Sequence, residues 1–465
     1  MMGRQTGGQD RLFYAFDLDA IVPTNHLLRG IDKFLDLSAL RQHLSSFYSY
    51  TGRPSVDPEL MMRILIVGYA FGIRSERRLC EEVRLNLAYR WFCRLGLEDP
   101  VPDHSTFSVN RHGRFRDSGL FRHVFESVLA RCMKEGLVSG EGFAVDASII
   151  KADANRQRGV PGTQEIDWND PALTTRPVRE YLAALDEAAD GASPRKPSKR
   201  ISLTDPQSQW TAAPGGPAFY AYSANYLIDL NVGVIVDTET TTALRTDEVA
   251  VSKMMIERVA DRFGLRPKRL AADTAYGTAA TLAWLVEDKQ IAPHIPVWDK
   301  SEGKDGLFGR SDFTWQAATD RYLCPGGTSL QRYRRTFKKK RTGITKDNTI
   351  IYRASKYDCM ICPLKPQCCP RTPSRKIARS IHEEARDHAR ALAKTPAYEQ
   401  SRNDRKKVEM SFAHLKRILK LDRLRLRGMS SANDELLLAA TAQNLRKMAK
   451  LIWRPPKNDG IIAPA

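Results

Sequence analysis

No stretch of this 465-residue sequence is both long and apolar enough to cross a bilayer. The longest apolar run, Leu60 to Ile73, is interrupted by Arg63 and falls short of the roughly 18 to 20 residues that a span needs. The opening residues, MMGRQTGGQDRLF, lack the hydrophobic centre of a secretory leader, which sets the expectation of a cytoplasmic protein without a membrane partner. There is no internal repeat and no H-E-x-x-H. His382 and His388 are six residues apart, about 120° round a helix, so they read as surface residues rather than a metal pair. Cysteine is scarce before residue 324, where only Cys80, Cys93 and Cys132 occur, each within a helical pattern as a small buried hydrophobe. Aromatic residues make up 8% of the chain.

What is present is ordinary globular material, 42% hydrophobic and 27% charged, which excludes a disordered or collagen-like chain. The length suits roughly two to four units of domain size. The net charge of +19 is local. Residues 301–465 carry +20, against +3 for residues 1–140 and −4 for residues 141–300. A cationic surplus confined to one third of the chain suits a polyanion, because neutralising phosphates releases counterions; the alternative is a solvated basic face.

Cys324, Cys359, Cys362, Cys368 and Cys369 fall within 46 residues. Cys359-x2-Cys362 has zinc-knuckle spacing, and Cys324 adjoins the tight turn Pro325-Gly326-Gly327. Cys324, Cys359, Cys362 and Cys368 are thus a candidate tetrahedral zinc set, the alternative being reduced thiols in a small subdomain.

Residues 12–137 read as helical. Asp57-Pro58-Glu59 supplies a cap, a first-turn proline and an acid; Gly72 ends that helix and Ser75-Glu76 begins the next. Such short helices fit a helix-turn-helix region or any small bundle. Phe143 to Asp146 reads as a buried strand ending in an acid. Residues 156–217 read as a linker with one helix near Val178 to Ala189. Tyr226–Leu230 and Val232–Thr240 read as a hairpin turning at Asn231, and Asp247–Phe263 as a helix. Arg269 to Asp273 is a second apolar step ending in an acid, followed by a helix over 278–288 and a strand over 291–297. From about His382 to Lys450 the pattern is helical.

Asp146 and Asp273 thus each end an apolar run, where open sheets place their sites. In 405–416, Arg405 lies about 40° and Lys416 about 20° from Glu409 round a helix, so the three share a face. Val408, Phe412, Leu415 and Leu419 form a neighbouring apolar stripe that could dock on a sheet. Taken singly, such acids are usually caps and such pairs surface salt bridges.

Together they resemble the DDE transposases of bacterial insertion sequences. Arg405-x3-Glu409-x6-Lys416 matches the R, E and K of that family's Y-x2-R-x3-E-x6-K signature; its tyrosine falls at Arg402 here. Phe143-Ala144-Val145-Asp146-Ala147-Ser148 and Ala272-Asp273-Thr274-Ala275-Tyr276-Gly277 resemble the segments round its two aspartates. Asp57-Pro58, Gly72-Ile73-Arg74-Ser75 and Pro102 to Phe107 resemble its N-terminal domain.

The resemblance implies an α/β fold with an RNase H-like mixed sheet flanked by helices, preceded by an all-helical N-terminal domain and interrupted by a small cysteine-rich insertion. The implied divisions are 1–137 for recognition of DNA ends, 138–299 for the first part of the core, 300–378 for the basic insertion, 379–450 for the helical remainder and 451–465 for a tail. It implies that Asp146, Asp273 and Glu409 hold two Mg2+ ions, with Mn2+ a possible substitute, for cleavage of DNA at the element's ends and transfer of the 3′ hydroxyl to target DNA. Arg405 and Lys416 would contact phosphate or orient Glu409. Arg332, Arg334, Arg335, Lys338, Lys339, Lys340 and Arg341 would contact DNA backbone. The implied partners are double-stranded terminal repeats, target DNA and further copies of the chain in a synaptic complex. The alternatives are a metal-dependent nuclease without strand transfer and an inactive DNA-binding derivative.

Overall fold

The computed structural model describes residues 16–49, 51–52, 55–189, 198–212, 215–298, 306–332 and 342–454. The chain divides into two compact units. The first takes residues up to Ser139, Ala147–Gly264 and those from Lys407 onward; the second takes Gly140–Asp146 and Leu265–Lys406.

The first unit opens with helices only, among them Leu27–Phe34, Pro58–Phe71, Glu76–Leu85, His104–His112 and Leu120–Lys134. Local chemistry sets their limits as expected. The Asp57 carboxylate accepts from Glu59 N at 2.8 Å, and Pro58 occupies the first turn, where its missing N–H costs nothing. Gly72 closes that helix at φ +69°, and a Cβ there would stand 2.7 Å from the Ile418 carbonyl oxygen, so both backbone sign and space demand glycine. Ser75 caps the next helix by accepting from Arg78 N.

The helix Met429–Leu451 packs against Leu27–Phe34, Pro58–Phe71 and Leu120–Lys134. It is buried along most of its length and carries polar anchors inward. Glu435, fully buried, accepts from Arg425 N, Leu426 N and the Arg74 guanidinium. Arg74 also lies 4.3 Å over the Tyr69 ring, so the buried charges are paired and hydrogen-bonded as burial requires.

Among the described residues, six strands contribute to this unit. β1 (Gly142–Lys151) is shared, with residues from Ala147 belonging here. β2 (Gly159–Pro161) pairs antiparallel with β3 (Arg200–Ser202), β4 (Gln209–Ala212) with β5 (Ala218–Asp229), and β5 with β6 (Ile235–Thr242). Residues 156–217, expected as a linker, therefore hold three short strands as well as the helix Arg176–Ala189. Three- and four-residue strands whose partners lie far along the chain leave no periodicity to read. The expected hairpin exists, but its turn occupies residues 230–234 rather than Asn231 alone. Asn444 of the Met429–Leu451 helix clasps β6, accepting from Ile235 N at 3.0 Å and donating to Ile235 O at 2.8 Å.

In the second unit the first residues of β1 pair in parallel with β7 (Arg269–Ala271), and β7 pairs in parallel with β8 (Ala292–His294). Antiparallel and parallel ladders, with a helical N-terminal region, make the chain mixed α/β. The cysteine-rich stretch forms a five-stranded antiparallel sheet in the order β13 (Lys376–Ser380), β12 (Thr349–Arg353), β11 (Ser329–Arg332), β10 (Arg321–Leu323), β9 (Thr314–Gln316). Its core is Phe313, Tyr322, Leu330, Tyr352, Ala354 and Ile377, with the Trp315 ring 4.8 Å from Tyr322 and 5.3 Å from Tyr352. Arg379 lies 4.1 Å over Trp315.

The apolar stripe Val408, Phe412, Leu415 and Leu419 is buried, and Phe412 stacks on Tyr226 of β5 with centroids 4.7 Å apart. Replacing Phe412 by Ala should lower the stability of this unit by about 3–5 kcal/mol in denaturant unfolding. Met410→Ala, on the 69%-exposed face of the same helix, should stay within about 0.5 kcal/mol of the parent.

Candidate active site

The parallel register of β1 and β7 runs Gly142 with Arg269, Phe143 with Leu270 and Ala144 with Ala271. Asp146 and Asp273 each stand two residues beyond the last of these pairs, Asp146 within β1 and Asp273 just past the end of β7. Side chains alternate along a strand, so two residues of the same parity project to the same face. Asp146 does not end its strand, as its sequence context suggested: β1 runs on to Lys151. Asp273 does follow the end of β7.

The segment after Asp273 is closely held. Its Oδ1 accepts from Ala275 N at 2.8 Å and caps the short turn Thr274–Tyr276. Gly277 O accepts from Trp298 N at 2.8 Å, and a Cβ on Gly277 would stand 2.0 Å from Pro296 O. Only glycine permits that approach.

Arg405 Nη1 donates to Asp146 Oδ2 at 3.2 Å, with the two side chains 24% and 20% exposed. Arg405 is the C-cap of the helix Pro396–Asp404, its N–H reaching Ser401 O at 2.9 Å. That helix is fixed to β8. Ser401 Oγ and His294 Nδ1 are 2.7 Å apart in a buried contact, and the Tyr398 ring lies 5.6 Å from the His294 ring. Burial holds the His294 imidazole below its ordinary pKa and raises that of the Tyr398 hydroxyl. His294, Tyr398 and Ser401 thus position the arginine that faces Asp146, and no sequence pattern marks them. Tyr398 stands one helical turn before Arg402.

Glu409 belongs to the helix Lys406–Arg417, on its exposed face, and to the first unit, whereas Asp146, Asp273 and Arg405 belong to the second. The expectation that Arg405, Glu409 and Lys416 share one continuous helix is corrected: Arg405 is the junction between two helices, although its backbone remains helical at φ −56°, ψ −26°. Burial lowers the pKa of the Lys416 ammonium, opposed by the nearby Asp422 carboxylate. Lys407, beside them, donates from Nζ to Leu230 O at 2.7 Å and Asn231 O at 3.1 Å, tying the start of Glu409's helix to the turn after β5.

Carboxylates on neighbouring strands are hard oxygen donors of the kind Mg2+ and Mn2+ prefer. Among the described residues, no group of three or more His, Cys, Asp or Glu side chains is gathered as a ready metal site. Of the basic run, Arg332 ends β11; Arg334, Arg335, Lys338, Lys339, Lys340 and Arg341 lie outside the described residues.

Residues 16–113 match a transposase domain (DUF772), and residues 323–449 match a transposase DDE domain. The chain is a DDE transposase. The second match contains Arg405, Glu409, Lys416 and the cysteine cluster; Asp146 and Asp273 lie between the two matched segments. No curated protein and no solved structure matches the transposase. No helix among its described residues is long and apolar enough to cross a membrane.

On the helix carrying Glu409, His414 is partly buried near Arg446, Lys450 and Lys447, and burial is the larger reason its pKa falls to about 4. A histidine depressed below its unfolded value near 6.5 contributes stability that is complete above pH 6.5 and is lost as pH falls towards 4. The transposase should therefore lose stability over that window. His414→Gln should flatten this part of the acid limb in thermal melts compared with the parent chain.

Proposed function

We propose that the transposase cleaves DNA at the ends of its element and joins the freed 3′ hydroxyl to target DNA, using Asp146, Asp273 and Glu409. The observation that carries this reading is that Asp146 and Asp273 each stand two residues beyond the same parallel register of β1 and β7, in a chain that matches a DDE domain. An RNase H-like core is part of the proposal. Its support is the strand succession, with the antiparallel pair β5–β6 in one unit, the parallel series β1–β7–β8 in the other, and β1 shared.

Asp146, Asp273 and Glu409 would supply the carboxylate oxygens that hold a pair of divalent ions, whose Lewis acidity would favour deprotonation of the attacking water or hydroxyl and neutralise the departing oxygen. Arg405 has two roles. It aims the Asp146 carboxylate by a charge-assisted hydrogen bond, and it adds positive potential where a phosphate must settle. Lys416 offers a second cation on Glu409's helix, and Arg332 with the basic run after it favours duplex backbone. Residues 16–113 would recognise the element's terminal repeats. Handling two ends in one event requires more than one copy of the chain.

The decisive experiment supplies end DNA both intact and pre-cleaved with a free 3′ hydroxyl, in Mg2+ or Mn2+. The parent chain should nick the first and join the second to target. Asp146→Asn, Asp273→Asn and Glu409→Gln should each lower both rates by about a thousandfold or more while DNA binding persists. Nicking without joined product would make the protein a nuclease, and undiminished cleavage by Asp146→Asn would remove the assigned site. Arg405→Lys should retain more activity than Arg405→Ala but less than the parent, because a lysine keeps the charge and loses the planar fork.

A further inference from the structure

All five clustered cysteines of the second unit line a single cavity of about 30 Å3, together with Pro325, Gly326, Leu364 and Arg375. A cavity of that size accommodates about one water or ion. The thiols reach it from separate stretches of chain. Cys324 leaves β10 into the turn before β11; Cys359 and Cys362 come from the helix Lys356–Met360 and the residues after it; Cys368 and Cys369 end the short helix Lys365–Cys368.

Two of these stretches repeat one local design. Cys324-Pro325 and Cys362-Pro363 each begin a tight turn closed three residues on, Gly327 N donating to Cys324 O at 2.9 Å and Lys365 N to Cys362 O at 3.1 Å. In the first turn Thr328 N also donates to Cys324 Sγ at 3.2 Å, an N–H aimed at sulfur that favours a thiolate. The turns face each other across Gly326: a Cβ there would stand 3.4 Å from Cys362 Sγ and 3.7 Å from Cys324 Sγ. On the other side of the cavity the Cys369 thiol interacts with those of both Cys359 and Cys368. Cys369 is buried, 6% exposed.

We propose that this cavity is a structural zinc site whose ligands are Cys324, Cys359, Cys362 and one of the adjacent pair Cys368 and Cys369, all of which line it. The thiols surround the cavity without closing on its centre, in keeping with the lack of a ready metal group among the described residues. Zinc–sulfur bonds of about 2.3 Å draw the two Cys-Pro turns together, and each coordinated thiol gives up its proton to solvent. The ion then clamps the β10–β11 turn to the Lys356–Met360 segment, where few apolar side chains are available to do so. This site is independent of the carboxylate chemistry proposed above.

The test uses the full-length chain produced with zinc in the medium and purified without a metal-chelating tag. Elemental analysis should find about one zinc per chain, and cobalt substitution should give the intense thiolate-to-metal absorption of a four-sulfur tetrahedral site. Zinc below about a tenth of an equivalent, in protein that unfolds cooperatively, overturns the proposal. Cys324→Ser and Cys362→Ser should lose the metal, whereas the remote Cys132→Ser should keep it. Retention of zinc in both Cys324→Ser and Cys362→Ser overturns the site. Should the serine variants fail to fold, a mercurial titration of the parent protein decides: zinc should leave in step with modification of about four thiols, and release uncoupled from thiol modification counts against the site.

Discussion

The parallel pairing of β1 with β7 is the constraint on which the chemistry proposed for this transposase depends. Two aspartates that the sequence separates widely each stand two residues beyond a register fixed by three backbone pairs, Gly142 with Arg269 through Ala144 with Ala271. A slip of one residue would turn one carboxylate to the opposite face. The register is protected because Phe143, Ala144, Leu270 and Ala271 are buried, so sliding the strands would expose apolar side chains.

Beside Asp146 the second unit supplies a chain of supporting contacts. β8 carries His294, His294 holds Ser401, and Ser401 sits one turn before Arg405, whose guanidinium meets Asp146. This is a chain of ordinary contacts, each buried or half-buried. The unit boundary falls between Arg405 and Glu409, although the two residues are only four apart in sequence. The junction is helical in backbone yet interrupted as a helix.

Much of this was legible beforehand where the signal is local. Capping at Asp57 and Ser75, the stop at Gly72 and the buried stripe from Val408 to Leu419 follow from residue types at fixed offsets, and the structure contains them. Asp146 and Asp273 stood out because each follows an apolar run. What could not be read depends on partners distant in sequence. β2, β3 and β4 are too short for a period of two to register, and the five-stranded sheet of residues 314–380 is built from strands of three to five residues punctuated by turns. Arg405 was placed on Glu409's helix because an angular wheel assumes an unbroken axis. The supporting trio His294, Tyr398 and Ser401 has no motif, since its geometry arises only when helix and strand have packed.

Gly72 has an evolutionary side. Its missing side chain lets the end of one helix rest against the Ile418 carbonyl, while Arg446 reaches back to Ala70 O at 2.6 Å and Arg74 is neutralised by Glu435. The amino-terminal and carboxy-terminal thirds therefore share one interior. Exchanging either third with that of a distant relative would mismatch this seam, so recombination between such genes should leave viable chimaeras only when both partners of each contact travel together.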